Sequence, residues 1–291
     1  MHPPLERKIS SGNACIPKIS IGMPVYNGAL FIRKALNSLL TQTYTDFELI
    51  ISDNASTDAT SEICQEYAAK DKRIQYIRHP VNRGQLLNYQ FVLEQARAEY
   101  FMWAAADDMW APDCLSQWAQ ILDTDDTVAL VFSNFNVFYH VSDILEKHYV
   151  APSIHDSVEN RLLSRMLNPA APLIYGMFRR TAATKLKIKS IDYFDVYFGY
   201  YMAAQGKVAV CWDYLFFSGM KSKKRQPYSI MDDRIQIAPF FIETIRLINQ
   251  VISRKHRFIF YLVMARQCVL IFKQNNLERI RSFLNPSIRF Y

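Results

Sequence analysis

Half of the 291 residues are apolar and 21% are charged, a balance that supplies a real hydrophobic core and excludes a disordered chain. The longest stretch free of Asp, Glu, Lys and Arg runs only from Thr127 to Ser142, short of the roughly 20 apolar residues a spanning helix needs, and the N-terminus has no apolar run behind its charges, so neither a transmembrane segment nor a secretory signal is expected. The net charge of +7 is unevenly placed: residues 1–220 carry 20 Lys and Arg against 23 Asp and Glu, while residues 221–291 carry 14 against 4, which argues against a uniformly basic nucleic-acid binder.

In chain order, β-type and helical patterns alternate. Ile19 to Met23 is a short apolar run that stops at Pro24 and opens into a Tyr26-Asn27-Gly28 turn. Leu30, Phe31, Ala35, Leu36, Leu39 and Leu40 then recur at helical spacing. Phe47 to Ser52 predicts a second strand, stopped by Asp53-Asn54, and Ser56 and Thr57 are placed to cap a helix reaching about Lys70. A third strand over Arg73 to Arg78, a turn at Asn82-Arg83-Gly84, a helix over Gln85–Arg97 and a fourth strand over Tyr100 to Ala104 follow. Pro112 suits the first turn of another helix, and Val128 to Ser133 predicts a fifth strand. Strands separated by helices of this length imply a doubly wound, mostly parallel α/β sheet with helices on both faces. From about Val141 the alternation breaks up, with helical patches near Val158–Leu167 and Val196–Gln205, and beyond Arg234 the chain reads as helical.

In such sheets ligands sit at the carboxyl ends of the strands, which singles out Asn27, Asp53, Arg83 and the Asp107-Asp108 pair. The first turn, PVYNGALF, has one glycine rather than GxGxxG, and GxxxxGK[ST] is absent, which argues against an NAD enzyme and a P-loop. Five widely spaced cysteines, Cys15, Cys64, Cys114, Cys211 and Cys268, with no CxxC pair, read as reduced thiols of a cytoplasmic protein.

Two segments, ISIGMPVYNGALFIRKALNSLLTQTYTDFELIISDNASTDAT and HPVNRGQLLNYQFVLEQARAEYFMWAAADDMWAPDCL, closely resemble the N-terminal half of family 2 glycosyltransferases, inverting sugar-nucleotide enzymes with a GT-A fold. The specificity lies in the order P-x-Y-N, a long helix ending in Q-T-Y, D-x-x-S-T-D, N-x-G and D-D-x-W-x-P-D; it is dense over Ile19–Leu115 and traceable to about Gly206. The resemblance implies a GT-A-like domain over 18–220, with a nucleotide-sugar-binding half at 18–135 and an acceptor half at 136–220, between a tail at 1–17 and a basic helical extension at 221–291. It also implies transfer from a nucleoside-diphosphate sugar, a UDP-sugar foremost, to a glycan or lipid-linked acceptor in surface polysaccharide or glycolipid synthesis.

Residue by residue, the resemblance implies that Pro24, Val25 and Tyr26, with Asn27, line the base and ribose, that Asp53 accepts a hydrogen bond from the base, and that Asp58 supports that loop. Both aspartates also suit turn and helix-cap chemistry. Arg83 and Gly84 match the turn after the third strand near the donor, although Arg83 equally suits a solvated surface. Asp107 and Asp108 fall on the motif for Mg²⁺ or Mn²⁺, but where the family often reads D-x-D-D this chain has Ala105-Ala106-Asp107-Asp108. An E-D pair eleven residues before a glycine is matched by Phe194-Asp195 before Gly206, making Asp195 the candidate general base, with Asp192 the runner-up and an N-cap role compatible with the same position. Lys221, Lys223, Lys224 and Arg225 follow the late strand, where the family often places a His or Arg in a loop that closes on the diphosphate; that ligand type is not matched here, and the run also suits a solvated loop. Ala105 and Phe194 leave open a non-catalytic sugar-nucleotide-binding or scaffold protein. The aromatic, basic tail reads as a peripheral contact with the inner face of the cell membrane, a helical cap, or a homodimer interface.

Overall fold

In the computed structural model the described residues are 16–139, 142–186, 193–220 and 237–267. They build one nine-stranded sheet flanked by helices. Strands β1 (Ile19–Val25), β2 (Phe47–Asp53), β3 (Ile74–Arg78) and β4 (Tyr100–Trp103) alternate with helices α1 (Ile32–Leu40), α2 (Thr60–Lys70) and α3 (Gln85–Gln95). They pair in parallel in the order β3-β2-β1-β4. Every residue of β2 and β4 is buried, as strands inside a layer covered on both faces must be, and in β2 this includes Glu48, Ser52 and Asp53.

The second half departs from the simple alternation. Beyond β5 (Met109–Trp110) and helix α4 (Cys114–Thr124), β6 (Val128–Tyr139) runs antiparallel to β7 (Ser142–His148) and β8 (Met177–Arg179), and parallel to β9 (Lys207–Met220). β8 joins the halves by pairing antiparallel with β4. Helix α5 (Val158–Leu167), a 3₁₀ turn at Ala171–Tyr175 and helix α6 (Phe194–Gln205) follow β7, and α7 (Ile237–Val251) and a helical stretch α8 over 257–267 close the described chain. The fifth strand extends six residues past the predicted Ser133, β5, β7 and β8 have no counterpart among the predicted elements, and β9 is the late strand expected before Lys221. β7 folds back on β6, which directly precedes it, but β5 and β8 pair with strands distant in the chain, and the register of β6 on β9 slips between Ser133 and Asn134, so local periods do not announce this half.

Two helix starts also differ from expectation. Helix α2 begins at Thr60 with no side-chain cap, because Ser56 and Thr57 are spent on the neighbouring loop. Pro112 lies before the N-cap Asp113 of α4, and its carbonyl accepts the Thr43 N–H.

The core joins both halves around Trp103, which is fully buried with its ring centroid 5.1–5.4 Å from those of Phe101, Phe178 and Phe198. Its indole N–H donates to the Tyr89 carbonyl at 3.1 Å. This contact fixes α3, and with it Tyr89, against the carboxyl end of β4.

Candidate active site

A cavity of about 600 Å³ opens at the carboxyl ends of β1, β2 and β4. Pro24 to Gly28 with Phe31 form one wall, Asn54 and the turn residues Asn82 and Gly84 a second, Gln85, Asn88 and Tyr89 of α3 a third, and Ala105 to Asp107 with Tyr175 the rest. Of the residues singled out from the sequence, Pro24, Val25, Tyr26, Asn27, Gly84 and Asp107 are thus brought together. Asp53, Asp58, Arg83, Asp108 and Asp195 are not among the lining residues. Asp192 and the Lys221–Arg225 run lie outside the described residues.

The walls are cross-linked loops. Asn27 takes a left-handed conformation (φ 53°), which Asn tolerates better than most side chains. Its N–H donates to the Ser56 hydroxyl at 2.9 Å, and its Oδ1 accepts the Thr57 N–H at 2.8 Å. Gly28 N–H donates to the Thr60 hydroxyl at 2.9 Å and Ala29 N–H to Asp58 Oδ2 at 3.1 Å. Asp58 Oδ1 accepts both the N–H and the hydroxyl of Thr60. Burial alone would raise the Asp58 pKa, but these hydrogen bonds from Thr60 and Ala29 outweigh it and hold the carboxyl below its ordinary value.

Asp53 sits beneath the floor of the cleft, fully buried. Its Oδ1 accepts the Ser56 N–H at 2.8 Å, and its Oδ2 accepts the Tyr76 hydroxyl at 2.8 Å and the Arg78 guanidinium at 3.3 Å. The residue that lines the cleft at this strand end is Asn54, which sequence reasoning passed over although it is the very next residue. Asn54 Nδ2 donates to Asn82 Oδ1 at 2.8 Å and to the Gly84 carbonyl at 3.2 Å, and its Oδ1 accepts the Arg83 N–H at 2.8 Å. Arg83 contributes its backbone to that clamp while its exposed guanidinium lies 6.0 Å from the Phe91 ring centroid. Gly84 has φ 88°, a region open to glycine without strain, and it leads directly into α3.

Replacing Asp53 by Asn is therefore expected to act on stability first. Loss of charge-assisted bonds to Tyr76, Arg78 and the Ser56 amide should lower the unfolding free energy by about 1.5–3 kcal/mol in urea titrations. Wild-type stability combined with lost nucleotide affinity would instead return Asp53 to the base.

The adjacent carboxylates after β4 face different ways. Asp107 lines the cleft. Asp108 is only 3% exposed, and its Oδ1 accepts the Gly219 N–H of β9 at 2.8 Å. Burial, and then the charge of Asp107, push the Asp108 carboxyl well above the usual range. Among the described residues no group of three or more His, Cys, Asp or Glu forms a metal cluster. Two adjacent carboxylates that repel each other, one open to the cleft, still suit a hard divalent ion that takes most of its oxygens from a diphosphate and water. Ala105 and Ala106 offer no side-chain oxygen.

Above this pair, the hydroxyls of Tyr89 and Tyr175 meet at 3.5 Å. Burial pushes the Tyr89 phenol up to about 12, and Tyr175 is raised first because a second phenolate beside Tyr89 would be repelled and then by burial, so both remain neutral hydroxyls. Tyr175, at the end of the 3₁₀ turn, stacks on Phe216 at 5.7 Å. Nothing in the local pattern marks it, since its place depends on β9. Asp195 lies in the first turn of α6, where Tyr193 at the N-cap is left-handed and Asp195 Oδ1 accepts the Val196 N–H at 2.8 Å. Burial raises the Asp195 pKa against that hydrogen bond. Asp195 does not act as the N-cap of α6.

The profile described as "Glycosyl transferase family 2" matches residues 20–186, more than half of the chain. The protein belongs to this family. Among its curated relatives, the uncharacterized glycosyltransferase RT0329 of Rickettsia typhi is 29% identical over 186 residues, covering 63% of this chain and 55% of the relative. A putative teichuronic acid biosynthesis glycosyltransferase, TuaG of Bacillus subtilis, is 28% identical over 150 residues, covering 50% and 59%. The chain thus spans little more than half the length of these relatives. In fold, this family 2 member is similar to S. aureus TarS 1–349, crystallised with UDP, at a TM-score of 0.57 and 19% identity over 70% of this chain and 60% of that one. It is also similar to the mannosyltransferase PcManGT of Pyrobaculum calidifontis, in complex with GDP-Man and Mn²⁺, at a TM-score of 0.53 and 17% identity over 90% and 82%. The curled, mostly parallel sheet flanked by helices is the GT-A arrangement that the resemblance implied.

Proposed function

We propose that the protein transfers a sugar, with inversion, from a nucleoside-diphosphate sugar to a glycan or lipid-linked acceptor in surface polysaccharide or glycolipid synthesis. The observation that carries this reading is the cleft at the carboxyl ends of β1, β2 and β4, with Asp107 at one side and the asparagine-clamped loops at the other, in a chain of family 2. Its volume of about 600 Å³ is within the range of small-molecule sites. Residues 18–135 form the donor half and residues 136–220 the acceptor half. Pro24, Val25, Tyr26 and Asn27 line the base and ribose, and Asn54 rather than Asp53 presents the polar group nearest the base. A UDP-sugar is the donor this reading favours, supported by the TarS complexes with UDP and UDP-GlcNAc.

Asp107, with Asp108 behind it, would hold Mg²⁺ or Mn²⁺. When bound there, such an ion neutralises charge developing on the departing diphosphate. Asp195 accepts the proton of the acceptor hydroxyl as that oxygen bonds to the anomeric carbon and the bond from that carbon to the diphosphate oxygen breaks. A single in-line displacement inverts the configuration.

Thermal-shift titration with UDP, GDP and a panel of their sugars, with and without Mn²⁺, tests the reading. A matching donor at 100 times its Kd should add about 2.7 kcal/mol of stability. Absence of any shift across the panel would overturn it. A second reading, a binding or scaffold protein, draws on the alanines at 105 and 106 and on Phe194, whose buried ring leaves Asp195 without an adjacent carboxylate. Donor binding without transfer or hydrolysis in Mn²⁺ would favour it.

A further inference from the structure

Helices α7 and α8 pack on α6, the helix that carries Asp195. Phe240 of α7 is buried with its ring 5.9 Å from that of Tyr193 and 6.1 Å from that of Tyr200, and Gln267 of α8 is hydrogen-bonded to the Tyr200 hydroxyl. The two helices are also locked to each other, since the Tyr261 hydroxyl donates to Asn249 Oδ1 at 2.8 Å and the Arg257 guanidinium donates to the Asn249 carbonyl at 2.7 Å. Phe260 and Met264, one turn apart, are the inward row of α8.

The opposite row is not what a water-facing helix shows. Phe258 is 70% exposed, Leu262 53% and Ile259 48%. Phe258 and Leu262 continue at the same four-residue spacing into Arg266, and Arg254 and Lys255 lie in the turn that leads into α8. All three cations are exposed, and no ion pair involves them among the described residues. Across residues 237–267 five Lys and Arg stand against one acid, Glu243. An exposed apolar row with a cation at its far end and two more in the turn at its start is complementary to an anionic bilayer surface: the rings and branched chains enter the acyl boundary while the cations meet the headgroups. A second copy of this chain would present the same cations to one another, which disfavours a dimer through this row.

We propose that the Phe258–Leu262 row of α8, flanked by Arg254, Lys255 and Arg266, seats the protein on the surface of an anionic lipid bilayer. The seating itself needs no catalytic activity. The consequence that the acceptor is lipid-linked, delivered beside α6, rests on the transferase reading above.

Co-sedimentation of the full chain with phosphatidylglycerol-containing vesicles, with pure phosphatidylcholine vesicles as comparison and no donor present, tests it. Wild-type protein should pellet with the anionic vesicles and be released by high salt. Phe258→Ser with Leu262→Ser should lower partitioning about tenfold or more, and Arg254→Gln, Lys255→Gln and Arg266→Gln together about a hundredfold. All five positions are exposed, and unchanged melting temperatures will show that the variants fold. Wild-type protein that stays in the supernatant overturns the proposal, as do variants that pellet like wild type. Sedimentation velocity adds a further outcome: a wild-type dimer that Phe258→Ser with Leu262→Ser converts to monomer would reassign the row to self-association. Because the vesicles carry no donor, a failure here leaves the nucleotide titration intact, and a failed titration leaves the vesicle result intact.

Discussion

Replacing Asp195 by Asn is expected to lower kcat at least about 100-fold while donor affinity survives, since Asn keeps the shape of the side chain and removes its proton acceptor. The first turn of α6 places this carboxylate among aromatic side chains, with Phe194 buried before it and Tyr197 partly buried after it. Burial raises its pKa, which brings a carboxylate closer to the basicity a hydroxyl requires. The base must be ionised to act, so activity should fall as the pH drops through this raised value, and the acid limb of kcat should lie above the ordinary carboxylate range. That limb should vanish, together with most of the turnover, in Asp195→Asn. Near-normal kcat in the folded variant would move the role elsewhere, to Asp192 first.

Asp107→Asn is the second large effect. Removing the one carboxylate of this loop that lines the cleft should cost about 10²–10³ in kcat, the scale set by losing one electrostatic stabiliser of a developing charge. Apparent affinity for Mn²⁺ in a donor-dependent thermal shift should weaken in parallel. Asp108→Asn is the informative contrast. An Asn there can still accept the Gly219 N–H, and it removes the buried charge and the repulsion from Asp107 that together raise the Asp108 pKa, so the variant should fold at least as well as wild type. A wild-type Mn²⁺ response in Asp107→Asn would show that the ion is held elsewhere or is not used.

The first four strands and the helices between them were legible because each carries its own period and its own stop signal. β1 ends at Val25, one residue past Pro24, and β2 at Asp53, both close to where the pattern says they should. The second half was not legible strand by strand, because β5 and β8 are defined by partners far away in the chain and β6 meets β9 in a slipped register. The same division runs through the candidate site. The strand-end rule found Asn27 and Asp107, which line the cleft, but it could not say which of two neighbouring residues turns inward. At Asp53-Asn54 the inward residue is the second, and at Asp107-Asp108 it is the first, because β3 captures one carboxylate through Tyr76 and Arg78 while β9 captures the other through Gly219. Tyr175 could not be found at all, since only the tertiary fold carries that 3₁₀ turn to α3.

The loops after β1, β2 and β3 are braced mainly on one another. Asn27 leans on Ser56 and Thr57, Ala29 on Asp58, and Asn54 on Asn82, Arg83 and Gly84. Each tie joins a side chain of one loop to a backbone group or side chain of the next, so changing the length of any single loop would strand donors and acceptors in its neighbour. Grafting one loop from a relative with a different donor should therefore yield a damaged cleft rather than a new preference. The three loops form the smallest piece of this protein that can be exchanged intact.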